Sequence, residues 1–369
     1  YLTNILIDHP GMIDELIDSL VMDRLPTTER LDAQTIRLCD GVDEIVEVLR
    51  HVKASAHLMI GVRDLLGKES IDAISRSLTD IAEACLRRVV DQEHELLAQR
   101  YGDPLDSNGD PSELVAVALG RFAGGEMNYH SDLDVTFVYT AEGETQRRVG
   151  GPRSTLSNRQ FFNQLAGNIL RRMDQSNEGR LYEMDLPFAG GADESVLAMS
   201  RDQFLKPFRQ RTASLWQLVA LCKARPISGS REARESIERM LRRVTRSVSW
   251  RDSMNRELRD WRENSESTAG PNNLKRGAGG LVDIELIAAV GVLRTANNED
   301  FPLHANTVQC LEELSRAQCY SSVDVQVLAR NYRYLRSIEG KLRLLNTVAR
   351  HELPLGFDDE EAPLELKQL

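Results

Sequence analysis

Apolar positions recur at three- and four-residue steps through much of the first hundred residues. Ile71, Ile74, Leu78, Ile81, Cys85 and Val89 fall on one helical face, with Ser70 placed as the N-cap. Ile45, Leu49 and Val52 repeat the spacing one segment earlier. Residues 103–111 (DPLDSNGDP) form a turn-rich break. The pattern then changes period. Residues 114–119 (LVAVAL) are an apolar run of strand length, and 132–139 (DLDVTFVY) are β-branched and aromatic. Phe161, Phe162, Leu165, Ile169 and Met173 return to helical spacing. Residues 181–186 (LYEMDL) read as a further short strand, followed by the turn-like PFAGGADES. Helices resume near Gln203. Residues 322–346 predict a long helix, with Leu328, Leu335 and Leu342 seven apart as a bundle stripe. Residues 264–273 (NSESTAGPNN) read as a linker or mobile loop, and 358–361 (DDEE) as a solvated turn or frayed end.

Strand, loop, strand, helix, strand within about 75 residues predicts a small mixed-sheet unit set in helical surroundings. The expected class is therefore α+β and mostly helical. The expected organisation is an N-terminal helical segment over 1–100, the sheet-bearing domain over 101–225 and a C-terminal helical bundle over 226–369. A length of 369 residues suits two or three such units. Aromatic residues at only 5% favour helices over a β-sandwich.

The net charge of −11 argues against non-specific binding to nucleic acid or an anionic membrane surface. That charge is unevenly spread. Residues 201–276 hold 18 Lys/Arg and 9 Asp/Glu, a local +9, so the remainder carries −20. The simplest reading of the basic stretch is a solvated helix face. No apolar run approaches the ~20 residues of a membrane helix, and no signal peptide is visible. Five cysteines (39, 85, 222, 310, 319) have neither disulfide nor zinc spacing, which suits buried thiols in a reducing cytoplasm. The chain opens on Tyr1, so a piece of a longer protein is expected.

The candidate chemistry lies in residues 120–139 (GRFAGGEMNYHSDLDVTFVY). Asp132 and Asp134 are two apart in a strand-like run, so both side chains point to one face. Two carboxylates that close repel unless a cation sits between them, and oxygen donors of this kind suit Mg²⁺. Gly124 and Gly125, just upstream, would let backbone N–H groups approach a triphosphate. Ser131 adjoins the pair. Asp185, in LYEMD, supplies a third carboxylate about 50 residues on. Three carboxylates on adjacent strands can hold two metals roughly 3.5–4 Å apart, the clamp used for in-line phosphoryl and nucleotidyl displacement. Lys223 and Arg225 are candidate cations for phosphate, or simply favourable charges at a helix C-terminus. Residues 275–280 (KRGAGG) read as a tight entry turn, with an anion site at the helix start as the alternative. Trp216, Trp250 and Trp261 read as core or half-buried residues.

The D-x-D strand with its upstream Gly-Gly loop looks like the active-site signature of the DNA-polymerase-β-like nucleotidyltransferase superfamily. Within it, residues 120–139, then LYEMD, then 216–225 (WQLVALCKAR), then 275–285 (KRGAGGLVDIE) resemble, in order, the motifs of glutamine synthetase adenylyltransferases. The opening YLTNILIDHPGMIDEL resembles the start of one half of such proteins. The resemblance implies that residues 101–225 are a nucleotidyltransferase domain. It further implies ATP as the AMP donor, Mg²⁺ held by Asp132, Asp134 and Asp185, and phosphate contacts from Gly124, Gly125, Ser131, Lys223 and Arg225. The implied partners are glutamine synthetase and a PII-type nitrogen regulatory protein, with glutamine as effector and the cytoplasm as setting.

Members of this family carry two related halves, one that transfers AMP to a tyrosine of glutamine synthetase and one that removes it. Tyr129 and the Val282-Asp283 pair resemble the adenylylating, C-terminal half. The alternatives are the AMP-removing half and a catalytically impaired paralogue that only binds glutamine synthetase or a nitrogen regulator. Two departures feed the last. Arg121, Phe122 and Ala123 replace the family's usual Lys, Leu and Gly, and residues 186–191 (LPFAGG) lack the arginines usual there, an expectation of weakened activity.

Overall fold

The computed structural model describes residues 1–12, 25–147, 155–174, 179–189, 196–270, 272–345 and 351–353. Among the described residues, four helices precede the first strand: α1 (Leu2–Asp8), α2 (Thr28–Cys39), α3 (Ile45–Leu65) and α4 (Ile71–Tyr101). Ser70 caps α4 as its sequence predicts, accepting from the Ala73 amide at 3.2 Å. Gly102, at φ +92, ends the helix where a side chain would collide with the Gln146 carbonyl.

The sheet-bearing segment comprises β1 (Asp103–Asp106), β2 (Leu114–Ala118), α5 (Gly120–Ala123), β3 (Leu133–Tyr139), β4 (Gly143–Gln146), α6 (Asn158–Asp174), β5 (Met184–Asp185) and β6 (Ala198–Ser200). Then follow α7 (Arg201–Arg209), α8 (Leu215–Leu221), β7 (Arg225–Pro226) and α9 (Arg231–Arg246). The chain continues through α10 (Asp252–Ser267), α11 (Leu281–Thr295), α12 (Thr307–Arg316) and α13 (Ser322–Leu345). The α+β, mostly helical class is as expected. No described helix is long and apolar enough to cross a membrane.

Strand β3 is the centre of the main sheet. It pairs antiparallel with β2, which pairs antiparallel with β7; β5 and β6 run parallel to β3 at its opposite ends. Its period-two pattern explains both faces. Leu133, Val135, Phe137 and Tyr139 join a core with Phe161, Phe162 and Leu165 of α6 and Leu78, Ile81 and Cys85 of α4. Val138, with Val115 and Val117 of β2, joins a second core with Ile237 and Leu241 of α9 and Phe204 of α7. β1 and β4 form a separate two-stranded ribbon.

The cores do not follow the segment boundaries of the sequence. Helices α2 to α4 share one core with the sheet. Helix α8 contributes Leu215 and Leu218 to the bundle core of α10 to α13, whereas α9 covers the sheet. Some local expectations shift too. α10 runs to Ser267, so the first residues of the expected loop 264–273 are helical. Only Met184 and Asp185 of 181–186 enter a ladder. α8 ends at Leu221, and Arg225 stands in β7 rather than near a helix end. Trp216 is half exposed and stacks on Trp261 with ring centroids 6.0 Å apart. All five cysteines are free; Cys85, Cys222 and Cys310 are buried and Cys319 is exposed. Residues 190–191 of the LPFAGG turn and the DDEE segment lie outside the described residues.

Candidate active site

The parallel register of β3 with β5 sets Asp134 directly opposite Asp185. Asp132 lies just ahead of β3, two residues before Asp134, and acts on it electrostatically. The three carboxyl groups act on one another. Burial, and then the charges of Asp132 and Asp185, push Asp134 up to about 6. Asp185 is also raised, first by burial and then by the charge of Asp132. Asp132 and Asp185 are exposed and Asp134 is half-buried, so the cluster opens to solvent.

Asp134 is held from behind by the turn after β2. Leu119 N donates to the Asp134 carbonyl at 2.9 Å. Gly120 adopts φ +53, and a Cβ there would stand 2.7 Å from Asp134 Oδ2. Gly120 is therefore the close-approach glycine of this motif, at a position where a side chain would strain the backbone and strike the carboxylate.

Among the described residues, no three or more His, Cys, Asp or Glu side chains form a group that could hold a metal ion as they stand. The donor set nonetheless fits a hard cation in its chemistry: carboxyl oxygens, like charges that raise the pKa of Asp134 and Asp185, and exposure to solvent. Bound metal would have to draw Asp132 and Asp185 in towards Asp134.

The remaining predicted residues lie in other surroundings. Gly124 N donates to the Gly120 carbonyl at 3.2 Å and Gly125 N to Phe122 at 3.4 Å, so both amides are engaged within the turn that ends α5. Gly124 packs against Ala305 and Glu126, and Gly125 against Arg76. Ser131 Oγ accepts from Asn128 N at 2.9 Å and from Arg343 at 3.2 Å, which makes it part of the turn leading into β3. Lys223 is buried, with Nζ 2.6 Å from both Glu126 Oε2 and Thr307 Oγ1. Arg225 donates to the Ala123 carbonyl at 2.9 Å and pairs with Glu83. The structure brings Asp132, Asp134 and Asp185 together, and uses Gly124, Gly125, Lys223 and Arg225 where the sheet-bearing segment meets its neighbours.

Two features at the carboxylates were not singled out as site residues from sequence. Lys275, ahead of α11, acts electrostatically on Asp134 and Asp185, and Asp132 acts on it in turn. Its motif, KRGAGG, reads locally as a helix entry, while 141 residues of chain separate Lys275 from Asp134 and nothing local joins them. Arg121, next to Gly120, donates to Glu285 at 2.8 Å and to Glu339 at 3.0 Å. Glu339 is wholly buried and also pairs with Arg336, Arg343 and His351. Burial pushes its carboxyl up, but the Arg121, Arg336 and Arg343 guanidiniums and a hydrogen bond with His351 hold it well below the usual carboxylate range.

The glutamate-ammonia ligase adenylyltransferase family matches residues 1–240, and the GlnD PII-uridylyltransferase family matches residues 240–364. Among curated relatives, the bifunctional glutamine synthetase adenylyltransferase/adenylyl-removing enzyme of Thioalkalivibrio sulfidiphilus is 28% identical over 99% of this chain and 38% of its own length. The proteins of the same name from Hahella chejuensis and Acinetobacter baylyi are 27% and 28% identical, over 94% and 92% of this chain and 37% and 38% of their own lengths. The chain thus spans under two-fifths of the length of these relatives.

Proposed function

The chain belongs to the glutamate-ammonia ligase adenylyltransferase family, and on that premise we propose that it transfers AMP from ATP to a tyrosine of glutamine synthetase. The observation that carries this reading is the Asp134–Asp185 register, which gathers the third carboxylate beside the D-x-D pair. The proposed partners are glutamine synthetase and a PII-type regulatory protein, the latter supported by the match of residues 240–364. Glutamine as effector and a cytoplasmic setting complete the proposal.

Mg²⁺ held by Asp132, Asp134 and Asp185 would supply Lewis acidity and neutralise phosphate charge. The chain's own groups do the rest. A tyrosine hydroxyl, with a pKa of about 10, is protonated at neutral pH. Asp185, exposed and raised above its ordinary pKa, is the candidate acceptor for that proton. The tyrosine oxygen then forms its bond to the α-phosphorus. The bond from that phosphorus to the bridging oxygen breaks, and pyrophosphate leaves with the electron pair. Gly120 keeps the space beside Asp134 clear of a side chain.

The adenylylating direction is favoured by Tyr129 and by Val282-Asp283, which resemble that half of the family. In the reverse reading, inorganic phosphate attacks the phosphorus of tyrosine-bound AMP, releasing ADP and free tyrosine from the same carboxylates. ATP labelled at its α-phosphate, mixed with Mg²⁺, glutamine synthetase and this chain, separates the readings. Label in glutamine synthetase, lost with Asp134→Asn, is the expected result. Label released from adenylylated glutamine synthetase as ADP, only when phosphate is present, would show removal instead. Neither reaction would leave a binding protein, the outcome to which the arginine-free turn after Asp185 points.

A further inference from the structure

Lys275 stands in a turn built more firmly than a helix entry requires. Its amide donates to Asn273 Oδ1 at 3.0 Å, and its carbonyl accepts from Val282 N at 3.0 Å. Leu281 N donates to the Leu274 carbonyl at 2.9 Å, which closes the turn onto the first residues of α11. A Cβ at Gly280 would meet the carbonyls of Gly277 and Leu274 at 2.8 Å and that of Lys275 at 3.0 Å, so the loop closes only around glycine. Arg262 fastens the outer side, donating to the Gly277 carbonyl at 3.0 Å and to Asp283 Oδ2 at 2.9 Å.

The turn is also fixed relative to the carboxylates. Glu285, one turn into α11, takes the Arg121 guanidinium, and Arg121 follows Gly120, which abuts Asp134. Yet the Lys275 side chain, half-buried at this junction, makes no hydrogen bond or ion pair among the described residues. The other interior cations here are engaged: Lys223 by Glu126, Arg336 by Glu339, Arg121 by two carboxylates. An ammonium on so fixed a turn, within electrostatic reach of the carboxylates and with no hydrogen bond or ion pair among the described residues, is available to a ligand.

Electrostatics names the ligand. Three carboxylates repel a polyphosphate, so a nucleoside triphosphate can settle there only against compensating positive charge. A lysine offers a compact charge with three donors, a common partner for phosphate oxygens. We propose that Lys275 receives the β- and γ-phosphates of ATP at the Asp132/Asp134/Asp185 site, so that the segment before α11 completes the nucleotide site begun by β3 and β5. This rests on the AMP-transfer reading above.

The test compares Lys275→Gln and Lys275→Arg with the wild-type chain. Binding of ATP and of AMP, each with Mg²⁺, is measured by titration calorimetry, and AMP transfer to glutamine synthetase is measured alongside. Loss of one charge-assisted phosphate contact should weaken ATP binding by about tenfold or more in Lys275→Gln, with a matching rise in KM for ATP. AMP, which lacks the β- and γ-phosphates, should bind both proteins alike. Lys275→Arg keeps the charge and should recover most of the loss. Unchanged ATP binding in Lys275→Gln, or equal weakening of ATP and AMP, would overturn the assignment. Asp134→Asn separates the two claims. If it abolishes transfer while Lys275→Gln behaves as wild type, only the lysine's role fails; if it leaves transfer intact, the AMP-transfer reading fails.

Discussion

Arg121 donates to Glu285 at 2.8 Å, a contact that joins the turn behind Asp134 to the helix begun by the Lys275 turn. Arg121 also meets Glu339 at 3.0 Å, and Glu339 has no exposure. Removing the arginine takes one cation from Glu339, which keeps Arg336 and Arg343, and leaves Glu285 without its ion pair, held only by the Tyr332 hydroxyl. Arg121→Ala should therefore cost about 3–5 kcal/mol, as breaking a buried ion pair does. Glu285→Gln keeps an acceptor for Arg121 and should cost clearly less. Urea denaturation of both variants checks the order.

Asp134 is in the opposite situation. Its neighbours push its pKa up to about 6 in the fold from an ordinary 3.8. The folded state then binds more protons than the unfolded one between those values, so stability falls as pH rises from about 4 to about 6 and stays lower above that. Asp134→Asn should raise stability at pH 7.5 by about 1–3 kcal/mol. It should also lose most of any stabilisation that Mg²⁺ gives the wild-type chain. Thermal melts with and without Mg²⁺ read both effects.

Gly120→Ala should disturb the site through geometry alone. A Cβ there would stand 2.7 Å from Asp134 Oδ2, on a backbone at φ +53. The expected cost is about 1–2 kcal/mol from the left-handed conformation, with AMP transfer reduced because Asp134 must move. The same substitution at Gly67, which has φ +63 but open space, should cost similar stability and leave transfer unaffected.

His57 sets an acid limit on stability. It is buried, with Nδ1 2.7 Å from the Tyr1 hydroxyl and Nε2 3.4 Å from that of Tyr182. Burial, and then the charges of Lys53 and His130, hold it well below its ordinary 6.5. The folded state thus keeps it neutral while the unfolded chain protonates below that value. Its contribution is present above pH 6.5 and is lost as pH falls towards the folded pKa. Stability should drop by about 1 kcal/mol per pH unit on this account between pH 6.5 and 5.5, and His57→Gln should flatten that slope. Urea midpoints across the range provide the check.

Much of this fold was legible because its signals are local. The alternation in LDVTFVY predicts β3 almost to the residue, and Ser70 announces the start of α4. The helix predicted over 322–346 is observed as Ser322–Leu345. The carboxylates were legible for the same reason: D-x-D fixes one face, and LYEMD offers the third group. What could not be read depended on pairing between distant segments. Nothing near Gly124 and Gly125 shows that their amides are engaged within their own turn, while Gly120 approaches Asp134. Nothing near Lys223 reveals Glu126, 97 residues away. Lys275 sits in a segment whose local grammar reads only as a helix entry, and the Arg121–Glu285 bond that ties that segment to the turn behind Asp134 joins residues 164 apart.

The most direct test of the carboxylate trio concerns the member furthest away in sequence. Asp185 faces Asp134 across the β3–β5 pair, whereas its neighbour Glu183 is exposed and pairs with Arg180. Transfer of labelled AMP to glutamine synthetase is measured for Asp185→Asn and Glu183→Gln side by side. The account predicts a loss of at least about a hundredfold in the first and near wild-type transfer in the second. Comparable transfer by both would contradict a working role for the third carboxylate.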